Sequence, residues 1–241
     1  MKNNFFNKKC IILILVLLGT LCLFKVSAAA GNNSLLKDPE TDMVSANSVS
    51  DNQVSDNAVS ENKSYESSRY ELYVNRGLNV VTVYENKDDG SREAIKAFAC
   101  SCGRPHGHNT PQGTFYTSET YRWRRMIDNT YAQYAVRVNK LIMFHSVPYK
   151  EMKPNTLKWA QYNLLGSKAS LGCIRLAVSD VKWIYDNCEE GTKVVIYEDM
   201  EEELPIEKPE SFKISYDMRY RGWDPTDPDP ENPWNNYLQE D

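Results

Sequence analysis

The stretch Ser170-Leu-Gly-Cys-Ile-Arg175 places three chemically specialised residues within six positions. Cys173 is a candidate thiolate nucleophile, Gly172 lets the backbone bend sharply beside it, and Arg175 adds a fixed positive charge. A thiol is mostly protonated near neutral pH, so it needs a neighbouring base and a cation to favour the thiolate. The stretch therefore predicts covalent acyl-transfer chemistry if the chain also supplies a base.

His145 is the candidate base, and it closes the apolar run Leu141-Ile-Met-Phe144. A histidine at a strand end and a small buried thiol are both also common as plain core residues. The glycine before Cys173 and the arginine after it argue against simple core packing. We therefore predict Cys173 as the nucleophile and His145 as its base.

These two segments, His145-Ser and Ser170-x-Gly-Cys-x-Arg175, resemble the signature of the L,D-transpeptidase catalytic domain (YkuD-type) family of peptidoglycan cross-linking enzymes. Two further segments agree with this resemblance. Thr110-Pro-Gln-Gly-Thr-Phe115 is similar to the family's Thr-Pro-x-Gly-x-Phe segment, and residues 180–196 are similar to its closing helix, turn and strand. The resemblance covers residues 69–199, and its four pieces occur in the family's order.

The resemblance implies a role for Ser146, whose backbone carbonyl would orient the imidazole of the base. Backbone N–H groups around Ser170 and Gly172 are candidates for an oxyanion hole, which stabilises the charge on an attacked carbonyl. The planar guanidinium of Arg175 suits a carboxylate better than a lysine would, so we assign it to site structure or to the terminal carboxylate of a substrate. A surface cation with a salt bridge is the alternative for Arg175.

The segment between the base and the nucleophile spans 28 positions, which is longer than is usual in the family, and it contains Trp159 and Tyr162. We assign these two aromatic side chains to a substrate-binding wall or lid beside the site. A helix packed on the surface is an equally compatible structure for the segment. Leu171 stands where many relatives have a histidine, but that histidine is not the base, so the predicted chemistry is unaffected.

The central part of the chain has the alternation of apolar and polar residues, with many branched and aromatic side chains, that is typical of short β-strands. Residues 178–187 instead have helical spacing, and Gly191 ends this segment. We predict a mainly β fold with one helix after the catalytic cysteine, and the resemblance implies an L,D-transpeptidase-like β-sandwich. The predicted strands are residues 70–74, 79–84, 94–100, 113–117, 131–138, 141–144 and 193–197.

The N-terminal residues 1–30 are typical of a secretory signal peptide, with Lys8-Lys9, an apolar stretch over residues 10–24 and small residues at the end. A retained N-terminal anchor is the alternative, although the stretch is shorter than the about 20 apolar residues of a membrane span. Residues 31–68 contain four copies of Val-Ser-x-Asn-x. Such a segment buries too little apolar surface to offset chain entropy, so we predict a disordered linker.

The C-terminal residues 200–241 are acidic and rich in proline. We predict a disordered tail there, with docking of Trp234 and Tyr237 as the alternative. Removal of residues 1–30 would move the formal net charge from −5 to −9, because that segment carries four lysines and no acids. A chain this acidic is a poor candidate for binding nucleic acid through phosphates. We therefore predict an exported protein of the cell wall or extracellular space that does not bind nucleic acid.

A second cluster of reactive side chains is Cys100-x-Cys102, followed by His106 and His108. Residues two apart on a strand face the same side, so two thiols and two imidazoles could bind zinc. The spacing is unlike that of usual zinc sites, and the resemblance implies no metal, so we predict neither metal nor cofactor. A disulfide between the first two cysteines is not expected, because same-face Cβ atoms lie beyond the about 4 Å required, whereas pairing with Cys188 stays open.

The combined pattern predicts a cysteine acyltransferase, a peptidoglycan L,D-transpeptidase that cross-links the third residues of stem peptides through a thioester. Its partners would be a tetrapeptide donor and the side-chain amine of a diamino acid in the acceptor. The resemblance also implies inactivation by carbapenems. Two alternatives remain open: an L,D-carboxypeptidase that trims tetrapeptide stems, and a non-catalytic surface protein associated with the cell wall.

Overall fold

The structure is a computed structural model that describes residues 68–237. The predicted signal segment, residues 1–30, and nearly all of the predicted linker, residues 31–68, lie outside the described residues. Within the described part, no helix is both long and apolar enough to cross a membrane.

Strands dominate the described residues, and the longest helix follows Cys173, so the predicted mainly β fold is confirmed. The elements in chain order are β1 (Tyr70–Asn75), β2 (Val80–Asn86), β3 (Arg92–Ala99), β4 (Gly113–Tyr116), β5 (Thr120–Arg125), β6 (Tyr131–Arg137), β7 (Met143–Ser146), α1 (Trp159–Tyr162), β8 (Ile174–Leu176), α2 (Val178–Asn187), β9 (Lys193–Tyr197) and α3 (Trp234–Tyr237).

Two sheets contribute to one apolar core. The five-stranded sheet has the order β3-β2-β1-β9-β4, in which β1 is antiparallel to β2 and parallel to β9. The four-stranded sheet has the order β5-β6-β7-β8, and its last pair, β7 and β8, is parallel. A parallel pair requires a long crossover connection, whereas an antiparallel pair can be joined by a tight turn. The long segment between His145 and Cys173 is that crossover.

Side-chain alternation gives β1 one face in the core and one outer face. Leu72 and Val74 are fully buried. Tyr73 points the other way, where its ring meets Tyr84 edge-on at 5.0 Å between centroids and the guanidinium of Arg92 lies 4.5 Å from its centroid. The outer face is therefore covered by aromatic and cationic side chains, which tolerate contact with water.

Helix α2 packs against both sheets. Its residues Val181 and Ile184, three positions apart, are fully buried. The ring of Trp183 lies 5.1 Å from that of Tyr70 in β1 and 5.9 Å from that of Phe98 in β3. The helix also contacts β6, β7 and β8. Packing on both sides thus fixes the chain directly after β8, and with it the nucleophile segment just before β8.

The sequence pattern does not predict β5 and β8. Three of the six residues of β5 are arginines, and the strand lies at the edge of its sheet, where charged side chains are the usual protection against pairing with other chains. Strand β8 has only three residues, all buried. Periodicity over so short a run carries no signal, so only the pairing with β7 identifies it as a strand.

The expectation of a disordered C-terminal tail is wrong for residues 200–237. The Trp234 side chain is 1% exposed, and its Nε1 donates to the carbonyl of Tyr220 at 3.1 Å. Its ring makes edge contacts with Phe212 and Tyr237 at centroid distances of 5.5 and 5.2 Å. Proline prevents a ladder or a long helix here, but it does not prevent packing of an irregular chain around one large aromatic side chain.

The same extension caps helix α2 from outside. The residue preceding the helix, Ala177, has no side chain able to cap it. Instead, the Val178 N–H donates to Oδ2 of Asp224 at 3.1 Å and the Ser179 N–H donates to Oγ1 of Thr226 at 3.0 Å. These contacts satisfy N–H groups that a helix leaves unpaired at its first turn. The partial positive charge at this end of a helix also favours an acidic residue there. The C-terminal extension is therefore part of the folded domain.

Among residues 68–237, the three cysteines outside the motif are buried free thiols. Cys100 and Cys102 are fully buried, and their Sγ atoms lie 3.8 Å apart. Cys188, at the end of α2, is also a free thiol, and burial raises its pKa to about 12. Within residues 68–237 the pairing of Cys188 with either of the other two cysteines is not observed.

The packing of the extension predicts a large loss of stability in Trp234→Ala. Truncation of a fully buried tryptophan should lower the free energy of unfolding by about 3–5 kcal/mol, because contacts are lost and a cavity remains. The control is Tyr216→Ala, which removes an aromatic side chain of the same extension that is 74% exposed. Urea denaturation followed by tryptophan fluorescence and circular dichroism would measure both. Equal, small effects of the two substitutions would contradict the packing.

Candidate active site

Strands β7 and β8 bring the candidate base next to the candidate cation. In their parallel register His145 is paired with Arg175, so both side chains lie on the same face of the sheet. That face lines a cavity, whereas the alternate residues Phe144 and Ile174 are fully buried in the core. Two residues that are 30 positions apart in the sequence thus become direct neighbours.

The nucleophile loop before β8 is held by the Ser170 side chain. Its Oγ accepts a hydrogen bond from the Gly172 N–H at 3.0 Å and donates one to the Cys173 carbonyl at 2.5 Å. Gly172 has a φ of +123°, in a region that residues with a Cβ rarely adopt. A Cβ there would also lie 3.3 Å from Cδ1 of Ile142. The backbone conformation therefore favours glycine at this position, and a larger residue would also require Ile142 to shift slightly.

Cys173, His145 and Arg175 all line one cavity of about 590 Å³. Its walls include residues from the segments 107–111, 124–130 and 137–143, the last two of which are loops of the four-stranded sheet with the ends of the adjoining strands. A volume of this size is within the usual range for small-molecule and peptide sites.

The imidazole of His145 is oriented by the backbone. Its Nδ1 lies 2.6 Å from the carbonyl oxygen of Ser146. A carbonyl can only accept a hydrogen bond, so Nδ1 carries the proton and Nε2 keeps its lone pair. Burial, together with the neighbouring charge of Arg175, lowers the pKa of His145 to about 3. The ring is therefore neutral throughout the physiological pH range, and Nε2 is the nitrogen that can accept a proton.

Cys173 is a thiol in this environment. Burial raises its pKa, while the Met143 N–H and the charge of Arg175 act in the opposite direction. Sγ lies 3.7 Å from the carbonyl oxygen of Leu141, an acceptor for the S–H group. A raised cysteine pKa and a lowered histidine pKa both favour the neutral pair over a thiolate and an imidazolium. The thiol would therefore lose its proton only during the reaction.

Arg175 is 8% exposed, which contradicts the alternative of a surface cation with a salt bridge. Its Nη1 donates to Oε1 of Gln161 at 2.9 Å and to the Ala169 carbonyl at 3.4 Å, both neutral acceptors. Its Nε is buried and has no hydrogen-bond partner among the described residues. A cationic group that is desolvated and only partly satisfied can still bind an anion in the cavity.

The structure corrects the assignment of Trp159 and Tyr162 to a substrate-binding wall. Tyr162 is 1% exposed and belongs to the core, and Trp159 is half-buried and stacks edge-on against Tyr216 at 6.3 Å between centroids. Neither side chain lines the cavity. The crossover forms a single helical turn whose aromatic residues pack inward, so the lid interpretation of this segment is wrong. Ser170 is also fully buried, and the hydrogen bonds of its side chain are with the nucleophile loop itself.

The cysteine and histidine cluster does not converge on one point. Cys100 and Cys102 lie in the core. His106 is exposed and lies in a turn, where its φ is 65°. Among the described residues, no group of three or more His, Cys, Asp or Glu side chains is placed to hold a metal ion. The loop that follows the two cysteines instead forms one wall of the cavity through His108 and its neighbours.

Sequence reasoning missed the charged rim of the cavity. Arg124, Arg125, Arg137 and Lys140 line it, and Asp128 is the acidic residue among the lining side chains. The formal net charge of the whole chain is −5, whereas the charged side chains that line this cavity are mostly cationic. The arginines of β5 are visible in the sequence, but only the fold brings that strand and the β6–β7 loop to the same opening.

A family model described as the L,D-transpeptidase catalytic domain (YkuD) matches residues 69–196, more than half of the 241-residue chain. Among curated proteins the chain is similar to YciB of Bacillus subtilis (strain 168), which is named as a candidate L,D-transpeptidase. The two are 42% identical over 92 residues, which cover 36% of this chain and 46% of YciB. The chain thus matches about half the length of this curated relative.

Two solved structures are among those to which the chain is similar. An L,D-transpeptidase from Mycobacterium smegmatis has a TM-score of 0.42 at 20% identity, over 54% of this chain and 58% of that one. An L,D-transpeptidase from Mycobacterium tuberculosis H37Rv has a TM-score of 0.43 at 25% identity, over 54% of this chain and 58% of that one. On the strength of the family match to residues 69–196, this chain belongs to the L,D-transpeptidase catalytic domain family.

Proposed function

We propose that the protein is a peptidoglycan L,D-transpeptidase that links the third residues of two stem peptides through a thioester on Cys173. The observation that carries the proposal is the cavity in which Cys173, His145 and Arg175 meet. A binding module has no need of a thiol, an oriented neutral imidazole and a desolvated guanidinium in one cavity. This function also requires export, which the predicted signal segment, residues 1–30, would supply.

In the first half-reaction Nε2 of His145 takes the proton of the Cys173 thiol as sulfur attacks the carbonyl of the third residue in a donor tetrapeptide. The carbonyl electron pair moves to oxygen and gives a tetrahedral intermediate. Its collapse breaks the C–N bond to the terminal D-alanine, whose amine takes the proton from the imidazolium. A thioester of the third residue remains on Cys173.

In the second half-reaction the side-chain amine of a neighbouring stem's third residue attacks the thioester. His145 accepts the amine proton and returns it to sulfur as the C–S bond breaks, so the free thiol is regenerated and the peptides are cross-linked. If water attacks in place of the amine, the same site acts as an L,D-carboxypeptidase. The neutral state of the His145 ring at physiological pH serves both steps, because the ring must accept a proton first and donate it afterwards.

The cationic rim supports a substrate with several carboxylates, as stem peptides have. Arg124 and Arg125 are exposed at the cavity mouth, and Arg175 lies deeper, beside the base. Positive charge around a cavity raises the local concentration of an anionic substrate and speeds its association. Guanidinium groups also bind carboxylates in a two-point geometry.

The direct test incubates the purified protein with a disaccharide-tetrapeptide and analyses protein and products by mass spectrometry. We expect an adduct on Cys173, release of D-alanine and a cross-linked dimer, and loss of all three by a factor of at least about 1,000 in Cys173→Ala. Cys188→Ala removes another buried thiol outside the cavity and should retain activity. Tripeptide without dimer would support the carboxypeptidase. No adduct and no turnover would favour the non-catalytic surface protein.

Reversal of the rim charge tests the role of the basic residues. The double substitution Arg124→Glu with Arg125→Glu should lower kcat/KM about three- to thirtyfold, mainly through KM, and the deficit should shrink at high salt. Lys213→Glu with Arg219→Glu makes the same change in net charge at exposed positions away from the cavity. Equal losses in the two double variants would show that only net charge matters.

The neutral state of the pair predicts two different pH profiles. Alkylation of Cys173 by iodoacetamide should rise about tenfold per pH unit between pH 6 and 8, since the thiolate fraction of a group with a raised pKa grows in that way. Acylation by a carbapenem should stay nearly flat over the same range, because the pKa of His145, lowered to about 3, leaves the base neutral. The alkylation rate measured with Cys173→Ala is subtracted, which removes the contribution of the other thiols. An alkylation rate independent of pH would instead indicate a preformed thiolate–imidazolium pair.

A further inference from the structure

A buried threonine outside the segment Ser170–Arg175 holds the nucleophile loop by a hydrogen bond. Thr110 is fully buried, and its Oγ1 accepts a hydrogen bond from the Gly103 N–H at 2.8 Å. The same hydroxyl donates to the Gly172 carbonyl at 2.8 Å. The Gly103 amide can only donate, so the single hydroxyl proton is directed at Gly172. The hydroxyl has therefore one orientation, and both of its hydrogen bonds are made inside the protein.

The bond from Thr110 acts on the peptide group that contains the nucleophile's own amide. The carbonyl of Gly172 and the N–H of Cys173 belong to one planar trans peptide, so they point in opposite directions. Holding the carbonyl toward Thr110 turns the N–H of Cys173 away from Thr110. Free rotation of this peptide would otherwise be easy, because the preceding residue is a glycine with a φ of +123°.

The other polar backbone groups of these two residues are already occupied. The Gly172 N–H donates to Ser170 Oγ, and the Cys173 carbonyl accepts from the same hydroxyl. Within residues 68–237, the Cys173 N–H has no acceptor. Both residues line the cavity. Of the backbone donors of these two residues, the one that remains is therefore the N–H of Cys173, the residue whose sulfur would attack.

We propose that Thr110 is a positioning residue: by holding the Gly172 carbonyl, it aims the Cys173 N–H at the oxygen of the carbonyl under attack. The inference rests on the proposed acyl transfer, in which the S–C bond forms while the carbonyl electron pair moves to that oxygen. A donor that is already aimed needs no reorientation when the negative charge develops. Thr110 itself does not touch the substrate.

The surroundings of Thr110 fit this task. The loop from Gly103 to Thr110 is packed so closely that a Cβ on Gly103 would lie 1.8 Å from the His108 carbonyl. At its other end, the Thr110 carbonyl accepts a hydrogen bond from Nη1 of Arg76, and Arg76 is paired with Glu198 at 2.7 Å. The threonine is thus fixed from both sides, which a residue that orients another group requires.

The test compares Thr110→Val, which keeps the shape and removes both hydrogen bonds, with Thr110→Ser, which keeps the hydroxyl. For Thr110→Val we expect acylation of Cys173 by a carbapenem to slow about 10- to 100-fold, and kcat to fall similarly with KM changed less than about threefold. Alkylation of Cys173 by iodoacetamide, a displacement in which no oxyanion forms, should stay within about twofold of wild type. Thr110→Ser should restore acylation to within about threefold.

The matched control is Thr117→Val. Thr117 is also buried, and its hydroxyl likewise accepts a backbone N–H, from Thr192 at 2.9 Å, and donates to a backbone carbonyl, that of Glu189 at 2.6 Å. It lies outside the cavity lining, so this variant should lose stability without changing the ratio of acylation to alkylation. An unfolded chain is alkylated but not acylated, so the two rates are compared at equal folded fraction, measured on the same sample by circular dichroism.

A Thr110→Val protein with the wild-type ratio would overturn the inference, as would a parallel loss of acylation and alkylation, which indicates a collapsed loop. The proposed function fails separately. A wild-type protein that is alkylated at Cys173 but neither acylated nor active on tetrapeptides would refute the acyl transfer itself.

Discussion

The parallel pairing of β7 with β8 is the constraint on which the site depends. It sets His145 beside Arg175 on one face and leaves the opposite face to the core. The pairing in turn needs the long crossover, and the crossover supplies Gln161 and Ala169 as the partners of Arg175. The guanidinium is therefore buried at a fixed point, and its charge, added to burial, keeps the pKa of His145 low.

The C-terminal extension also supports this arrangement. The side-chain amide of Gln133 donates a hydrogen bond to Oδ2 of Asp227 at 2.8 Å. The backbone N–H of Gln133 donates to Oγ of Ser146, also at 2.8 Å. Ser146 provides the carbonyl that orients the imidazole of His145. An acidic, proline-rich segment without regular structure thus helps to hold the strand that carries the candidate base, in addition to capping α2.

The charged and ionisable groups of the cavity differ between its mouth and its interior. Exposed cations such as Arg124 stand at the mouth, where water screens them, and they act on the approach of a charged ligand. Inside, burial controls the protonation of Cys173 and His145, and both shifts favour the uncharged pair. In the proposed reaction, a neutral resting pair would place the catalytic demand on stabilisation of the charge that develops, and the proposed orientation of the Cys173 N–H would act at that step.

The sequence by itself determined the nucleophile and base candidates, helix α2 and most strands, because these depend on residue chemistry and on local periodicity. Strand β8 and the inward packing of Tyr162 were decided only by the tertiary structure, since three residues have no period and burial depends on what lies opposite. The same holds for the docked extension around Trp234 and for the bond from Thr110 to Gly172. Such contacts join residues that are distant in sequence, and their geometry exists only once both sheets have formed.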